Sequence, residues 1–257
     1  FRHARIAGAV ATFAAAWWRS QQGLPPVAPS ASAGHAADYL RMIFGSPRPA
    51  ASAAALDAYL VTVADHGMNA STFTARVVAS TAADSVSAVV AAICALKGPL
   101  HGGAPGPVLD MFEAIGTPDR AEAWIEGELA AGRRIMGMGH RVYRVRDPRA
   151  AVFEQQIELL QAAGITSGRL VLARAIEQAA DGVLRQRYPN RGLHANVEFY
   201  TAVLLDTIGL PRELFTPTFA VGRVTGWLAH IDEQRATGRL LRPSSRYIGP
   251  APDGLAP

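Results

Sequence analysis

Among the seven histidines in the sequence, three stand next to glycine in segments typical of loops. They are His66, His101 and His140, in the segments DHGMN, LHGGA and GMGHR. Glycine frees the neighbouring backbone, so a histidine beside it is easily presented on a loop. A single histidine is more often a structural residue with a satisfied hydrogen bond than a catalytic one. Three in the same kind of context indicate a functional site.

One carboxylate and several arginines could complete such a site. Glu198, in the segment NVEFY, could take a proton from a carbon next to a carbonyl, and a neutral histidine could donate a hydrogen bond to the enol oxygen. Arginine can bind a substrate carboxylate through two parallel hydrogen bonds, although a surface salt bridge is the more frequent role of a single arginine. The candidate arginines are Arg144, Arg149, Arg223 and Arg242.

Other kinds of catalytic site fit the sequence less well. None of the three histidines forms the helical pair with an adjacent glutamate that zinc proteases use, and Cys94 is the only cysteine, so no thiolate metal cluster is expected. A serine nucleophile elbow is missing, and GMGHR lacks the lysine and the serine or threonine of a phosphate-binding loop. We therefore predict no metal and no tightly bound cofactor.

Composition predicts a well-packed helical protein. The 257 residues are 49% hydrophobic and 18% charged, with a mean hydropathy of +0.12. Alanine is abundant and aromatic residues are sparse, which favours helix over sheet. The apolar stretches are too short or too interrupted to span a bilayer and no signal peptide is visible, so a cytoplasmic location is predicted. Cys94 lies in an apolar run and is interpreted as a small buried core residue.

The net charge of +4 and the isoelectric point near 9.6 suit an anionic partner. The arginines occur singly or in short groups, with no lysine tract and no interleaved aromatic residues that could stack bases. We therefore expect a small phosphorylated or carboxylated ligand, and neither nucleic acid nor a membrane.

Glycine, proline and cap residues divide the chain into helices. Asn69 and Asp84 are good N-caps for two helices that should end near Ala79 and Leu96. The connector 133–149, rich in glycine and arginine, and the tail 239–257 are predicted to be irregular. The other predicted helices cover 4–20, 36–44, 53–66, 108–115, 117–131, 150–163, 169–188, 193–208 and 211–229, with a short tail helix to residue 233.

Five segments resemble those of the citrate synthase family and occur in the family's order. They read HGMNASTFTARVVAS, KGPLHGGAPGPVLDMF, MGMGHRVYRVRDPRA, NVEFYTAVLLDTIGLPRELFTPTFAVGR and RLLRPSSRYIGP. The resemblance covers nearly the whole chain and begins in the middle of the family's large domain. The amino-terminal part of that domain is therefore expected to be absent.

This resemblance implies an all-α, citrate synthase-like fold with a large helical domain and a smaller helical domain that closes over the substrates. The implied boundaries are 1–102 for the first part of the large domain, 103–205 for the small domain, and 206–257 for the rest of the large domain and its tail. The family works as a dimer, so a homodimer is expected.

The resemblance also implies roles for single residues. His101 resembles the histidine that hydrogen-bonds the thioester carbonyl and stabilises the enol, and His140 the histidine that polarises the oxo group of oxaloacetate. Glu198 stands where the family's base abstracts a proton from the acyl-CoA. The residues implied in oxaloacetate binding are His66, Arg149 and Arg223, with Arg242 serving the partner subunit's site. The residues implied in CoA binding are Arg144 and the backbone of Met136, Gly137, Met138 and Gly139.

Two positions depart from the family pattern. Glu198 replaces the aspartate of the usual NVDFY, and Pro105 replaces the asparagine of the common HGGAN. The additional methylene would displace the carboxylate by roughly an ångström, and a misplacement of that size can cost roughly a hundredfold in rate. Both changes together resemble a subgroup of actinobacterial citrate synthase 2-like proteins. Pro105 is interpreted as stiffening the loop so that His101 suits the longer base.

The predicted function is the condensation of acetyl-CoA with oxaloacetate to citrate and CoA through an enol, an acyltransferase step of the tricarboxylic acid cycle. One alternative is a 2-methylcitrate synthase that uses propionyl-CoA, since one methylene in an apolar pocket discriminates by only about 1 to 3 kcal/mol. Another is a catalytically weak homologue that binds oxaloacetate or CoA as a sensor or partner, which Glu198 keeps open. For a citrate synthase and for a 2-methylcitrate synthase, the acyl-CoA is a co-substrate.

Overall fold

The computed structural model describes residues 2–103, 105–139 and 145–249. In these residues the β pairing is limited to one isolated antiparallel bridge between Met138 and Ala195, and the predicted all-α fold is confirmed. None of the helices in these ranges has the length and apolar content that crossing a membrane requires. The α-helices are α1 (Arg2–Gln21), α2 (His35–Phe44), α3 (Ala50–Thr62), α4 (Ala70–Ser80), α5 (Ser85–Leu96), α6 (Pro105–Ile115), α7 (Ala121–Ala130), α8 (Pro148–Ala162), α9 (Arg169–Arg187), α10 (Val197–Thr207) and α11 (Phe215–Thr237), with short 3-10 helices at Pro118–Arg120 and Arg212–Leu214.

Four of the helices begin with side-chain caps. The side-chain oxygens of Asn69 and Asp84 accept backbone N–H groups in the first turns of α4 and α5, as predicted. Asp147 and Asn196 do the same for α8 and α10. A cap of this kind stabilises a helix by about 1 kcal/mol. The last two caps stand two residues ahead of the candidate substrate arginine and the candidate base, so they also fix where those side chains begin.

α11 runs through the core of the molecule and contacts α1, α3, α4 and α5. Trp227 in this helix is fully buried. A Cβ on Gly226 would lie 2.1 Å from the Ala64 carbonyl oxygen, so glycine lets the helix backbone lie directly on the segment that follows α3. This close approach fixes the segment 63–69, which carries His66.

α8 and α10 pack against each other and connect the predicted small domain to the rest of the molecule. α10 also contacts α6 and α9, while α8 contacts α3. The ring of Tyr59 on α3 lies 5.4 Å from the ring of Phe153 on α8. The boundary predicted after residue 205 falls in the last turn of α10. The division of the chain at 102 and 205 stays a prediction.

α3 ends at Thr62, whereas the sequence predicted a helix to His66 with Gly67 as its stop. The Val63 carbonyl oxygen accepts a hydrogen bond from Arg223 Nε on α11 (2.6 Å). This tertiary contact competes with continuation of the helix, and the local sequence pattern carries no sign of it.

α11 is one continuous helix, whereas the sequence predicted a helix at 211–229 and a separate short helix to residue 233. No proline or glycine interrupts the segment between Gly226 and Thr237. Leu228, Ile231 and Gln234 bury one face of it, and their spacing of three suits a helix that continues along the core.

Cys94 is exposed, so its interpretation as a buried core residue is wrong. α5 turns Ala88 and Ala92 to the core, while Val86 and Val90 on its other side are 57% and 54% exposed. Val86, Val90 and Cys94 are spaced by four residues and therefore form one apolar stripe on the helix surface, the α5 stripe. A helix that is apolar on both faces gives no sequence signal for which face is buried.

Candidate active site

His101 follows α5 on a tight turn, where its backbone N–H donates to the Gly98 carbonyl (2.9 Å). Its Nε2 lies 2.8 Å from the Ser71 hydroxyl on α4, and its ring meets the Phe219 ring of α11 edge-on, with centroids 6.1 Å apart. Burial and the positive charge of Arg223 lower the pKa of His101, so the imidazole is neutral at neutral pH. Among the described residues no hydrogen bond to Nδ1 is found.

Ser71 links His101 to a fixed hydrogen-bond network. Its buried hydroxyl also lies 2.8 Å from Asn69 Oδ1 and 3.1 Å from Trp227 Nε1. Asn69 Oδ1 is an acceptor because it caps the Thr72 N–H, and Trp227 Nε1 can only donate. The single hydroxyl proton therefore points either to Asn69 or to His101. A neutral His101 carries its proton on Nδ1 only when the Ser71 hydroxyl donates to Nε2.

Glu198 lies in the first turn of α10, where its backbone N–H donates to Asn196 Oδ1 (3.0 Å). The side chain is partly withdrawn from solvent, and burial raises its pKa to about 7. The positive charges of Arg149 and Arg223 act against that rise, while the negative charge of Asp147 adds to it. A carboxylate that titrates near neutral pH is close to the optimum for a general base.

Asp147 is a buried carboxylate that joins the connector to α8 and α10. Its Oδ1 accepts from the backbone N–H and from Nε of Arg149, at 3.0 Å each. Its Oδ2 accepts from Arg149 Nη2 (2.8 Å) and from the Val197 N–H (3.2 Å). This two-point pairing fixes the plane of the Arg149 guanidinium. Asp147 therefore sets the position of the candidate substrate arginine relative to the helix that carries Glu198.

Arg223 lies on α11 and is only 1% exposed. Its Nε donates to the Val63 carbonyl, and its guanidinium carbon lies 4.7 Å from the centroid of the Phe219 ring. Burial lowers the pKa of Arg223 to about 10, so the group remains a cation at neutral pH. A buried cation of this kind favours an anionic group next to it, and Glu198 interacts with it electrostatically.

The segment 136–139 is a tight loop that is bound to the start of α10. The Gly139 N–H donates to the His194 carbonyl (2.7 Å). Asn196 holds the loop at two points, since its N–H donates to the Gly137 carbonyl and its Nδ2 donates to the Gly139 carbonyl, both at 2.9 Å. The residue that caps the helix of the candidate base therefore also holds the candidate CoA loop.

Gly137 is required in this loop for both conformation and space. Its φ is +73°, a region that side chains disfavour, and a Cβ there would lie 2.9 Å from the Cβ of Phe199. Met138 is buried and Met136 partly so.

The structure brings some of the predicted residues together. Glu198, Arg149 and Arg223 interact electrostatically, and the charge of Arg223 lowers the pKa of His101. His66 lies in the segment 63–69, to which Arg223 is hydrogen-bonded.

Other predicted residues are not brought into this group. Arg242 is exposed in the extended tail after α11, and no contact joins it to the group among the described residues. His140 and Arg144 lie outside the described residues. Pro105 is the first residue of α6, a position that suits its fixed φ. Its effect on His101 stays a prediction.

Three residues with a place in the site are not predicted from the sequence: Ser71, Asp147 and Asn196. The Asp-Pro pair at 147–148 is a helix-start signal that could have identified Asp147 as a cap. Asn196 stands at a cap position directly ahead of the base. Ser71 offers only generic cap chemistry, and its contact with His101 has no local signal.

A family model described as "Citrate synthase, C-terminal domain" matches residues 2–244. The chain is 50% identical over 198 residues to "Putative citrate synthase 2" of Mycobacterium tuberculosis, which covers 77% of this chain and 52% of that protein. It is 42% identical over 245 residues to a citrate synthase of Deinococcus radiodurans, which covers 95% of this chain and 64% of that protein. The chain thus spans about half the length of the first relative and under two thirds of the second.

A solved structure gives the same result for the fold. The citrate synthase of Thermoplasma acidophilum, in a ternary complex with carboxymethyl coenzyme A and oxaloacetate, is similar with a TM-score of 0.88 at 32% identity. The similarity covers 99% of this chain and 67% of that one.

Proposed function

The chain belongs to the citrate synthase family, and from this premise we propose that it condenses acetyl-CoA with oxaloacetate to give citrate and CoA. The observation that carries the proposal is Glu198, a partly buried carboxylate with a pKa of about 7 that interacts with the cations Arg149 and Arg223. The relative solved with carboxymethyl coenzyme A and oxaloacetate supports the same two classes of ligand.

In the first proposed step, Glu198 takes a proton from the methyl carbon of acetyl-CoA. The electron pair of that C–H bond forms the C=C bond of the enol, and the π pair of the carbonyl moves to the thioester oxygen. His101 donates a hydrogen bond from Nδ1 to this oxygen. The Ser71 hydroxyl then donates to Nε2, as the tautomer requires. A preorganised donor of this kind stabilises the transition state by about 3 kcal/mol.

In the second step, the enol carbon attacks the oxo carbon of oxaloacetate. We assign the substrate carboxylates to His66, Arg149 and Arg223, and the proton for the former oxo oxygen to His140. The new C–C bond gives citryl-CoA. Water then cleaves its thioester C–S bond, which releases citrate and the CoA thiol.

For CoA we propose the backbone of 136–139 and Arg144. A cavity beside this loop supports the assignment, because Arg133, Arg134 and Arg191 line it together with apolar side chains. Guanidinium groups are well suited to phosphate. The apolar side chains of the cavity would contact the adenine ring of CoA.

The test is the release of free CoA from acetyl-CoA and oxaloacetate by the full-length protein, followed with a thiol reagent. We expect turnover that requires both substrates. The ratio of rates with acetyl-CoA and propionyl-CoA separates a citrate synthase from a 2-methylcitrate synthase. Binding of oxaloacetate without turnover would reject the proposal and favour a sensor or partner role.

The pH dependence of this reaction should report Glu198. Because burial raises the pKa of Glu198 to about 7, the carboxyl is increasingly protonated below that pH and cannot accept a proton. We expect kcat/KM to fall about tenfold per pH unit at acid pH and to level off above about pH 8. Initial rates at saturating oxaloacetate measure the profile. A rate that is independent of pH between about 5.5 and 8.5 would contradict this assignment.

We also propose that the protein forms a homodimer through the α5 stripe and the neighbouring face of α4. Phe73 on α4 is 46% exposed, and α4 packs against α5. Val86, Val90 and Cys94 are exposed on the adjacent helix, and exposed apolar side chains grouped in this way are typical of protein interfaces. The exposed tail with Arg242 is then available to a partner subunit.

The double substitution Val86→Glu and Val90→Glu should convert the dimer to a monomer. In a two-fold dimer it places four carboxylates in one apolar interface, where desolvation and like-charge repulsion oppose association. Sedimentation velocity at micromolar protein measures the change. Val171→Glu is the control, since Val171 is 67% exposed on α9, away from the stripe. A dimer that survives the double substitution would place the interface elsewhere.

A further inference from the structure

Arg146 joins two helices to the connector that carries Asp147. Its Nε donates to Glu177 Oε1 on α9 (2.6 Å). Its Nη2 donates to Glu154 Oε2 on α8 (2.8 Å) and to Glu177 Oε2 (3.1 Å). Charge-assisted hydrogen bonds are the strong ones in proteins, and here two carboxylates share one guanidinium. Arg146 therefore pins the connector at the residue immediately before Asp147.

Tyr200 brings α10 into the same group of side chains. Its hydroxyl donates to Glu177 Oε2 (2.6 Å), and its ring centroid lies 5.0 Å from the Arg146 guanidinium carbon. Burial and the charge of Glu177 raise the pKa of Tyr200, so the phenol stays protonated and remains a donor. Tyr200 follows Glu198 by two residues. The bond to Glu177 therefore holds the first turn of the helix that carries the base.

We propose that Arg146, Glu177 and Tyr200 form a positioning cluster that sets where Glu198 stands relative to Arg149. The inference rests on the proposed function, in which Glu198 is the base and Arg149 binds a carboxylate of oxaloacetate as part of the substrate clamp. The cluster acts through other residues: through the connector on one side and through α10 on the other.

Two paths lead from the positioning cluster to the reacting groups. On the connector side, Arg146 precedes Asp147, which binds the Arg149 guanidinium at two points. On the helix side, Tyr200 restrains the turn from which Glu198 extends. The paths meet at Asp147, because its Oδ2 also accepts the Val197 N–H at the start of α10. The connector and α10 together therefore fix the position of Glu198 relative to Arg149.

The expected effect follows from geometry. A glutamate has one more rotatable bond than an aspartate, so the position of its carboxylate depends more on a fixed helix start. A displacement of about 1 Å between base and acyl carbon can lower the rate by about a hundredfold. Supporting residues of this kind decide whether a site keeps productive geometry.

The test uses Tyr200→Phe, Arg146→Gln and the double variant in the full-length protein. Tyr200→Phe keeps the ring and removes only the bond to Glu177. We expect kcat to fall about tenfold in this variant and about 30-fold or more in Arg146→Gln, with the KM for acetyl-CoA nearly unchanged. The double variant should lose less than the product of the two, because both residues act through Glu177.

Arg174→Gln is the matched control. Arg174 is hydrogen-bonded to Glu154 (2.8 Å) and to Glu158 at the exposed end of the same network, and neither bond reaches the connector or α10. Its kcat should stay within about twofold of the unaltered protein. If Arg146→Gln lowers the melting temperature but leaves kcat as high as in Arg174→Gln, the cluster is only structural and the inference is overturned.

Failure of the proposed function is distinguishable from failure of this inference. An unaltered protein that releases no CoA rejects the proposed function. Hydrogen exchange then tests the inference, because the effect of Arg146 on the connector and on α10 can be measured without substrate. The amides of Asp147 and Val197 should exchange faster in Arg146→Gln and not in Arg174→Gln. Equal exchange in both variants would show that Arg146 does not hold the connector to α10.

Discussion

Glu198→Gln should lower kcat for CoA release by about a thousandfold and leave the affinity for oxaloacetate unchanged or slightly higher. Glutamine has nearly the same shape as glutamate but cannot accept the proton, and general base catalysis contributes up to about 10⁴-fold. The substitution also removes a negative charge that interacts with Arg149 and Arg223, the groups assigned to the substrate carboxylates. Steady-state rates measure the first effect and calorimetric titration with oxaloacetate measures the second.

Glu198→Asp is the control for geometry, because it keeps the carboxylate and shortens the side chain by one methylene. We expect a loss of about a hundredfold from displacement alone, which lies between the glutamine variant and the unaltered protein. Substantial turnover by Glu198→Gln would assign the proton transfer to another residue. A faster Asp variant would show that the site is shaped for aspartate.

Asp147→Asn should lower the free energy of unfolding by about 3 kcal/mol and weaken oxaloacetate binding at least about tenfold. In one orientation the amide nitrogen of asparagine would face Arg149 Nη2 and the Val197 N–H, and in the other it would face the Nε and backbone N–H of Arg149. Donors would therefore meet in a buried place in either orientation. Arg149, only 13% exposed, would lose the negative charge of Asp147, and breaking a buried pair costs about 3 to 5 kcal/mol. Urea unfolding and calorimetric titration measure the two effects.

Asp84→Asn provides the comparison. Asp84 caps α5 at the surface, and asparagine is as good an N-cap as aspartate, so stability should change by less than about 0.5 kcal/mol. Equal losses in the two variants would mean that Asp147 is no more than a helix cap. Normal oxaloacetate binding by Asp147→Asn would remove Arg149 from the substrate clamp.

The sequence predicted helices best where local chemistry starts them. Asn69 and Asp84 cap their helices at the predicted positions because a cap involves only the next turn. The end of α3 was missed because it depends on Arg223, a residue 160 positions away in the sequence. Cys94 was placed in the core because α5 is apolar on both faces, and only packing against α4 and α11 decides which face is buried.

The same distinction applies to the site. Residue type and resemblance selected Glu198, Arg149 and Arg223, which the structure brings within electrostatic reach of one another. Ser71 was missed because its role comes from His101, 30 residues away, and from Trp227, 156 residues away. The roles of the selected residues, the domain boundaries and the cytoplasmic location stay predictions.

The hydrogen bond and the ring contact of Arg223 limit how the specificity of this protein could be redesigned. The same buried guanidinium binds the Val63 carbonyl, covers the Phe219 ring and supplies charge to the candidate site. A library that randomises position 223 to accept an uncharged 2-oxo compound would therefore lose folded clones before it gained new substrates. A change at Arg149 would also cost stability, because it removes the guanidinium that pairs with the buried Asp147 carboxylate. A redesign toward such substrates therefore has to change the supporting residues together with the arginine.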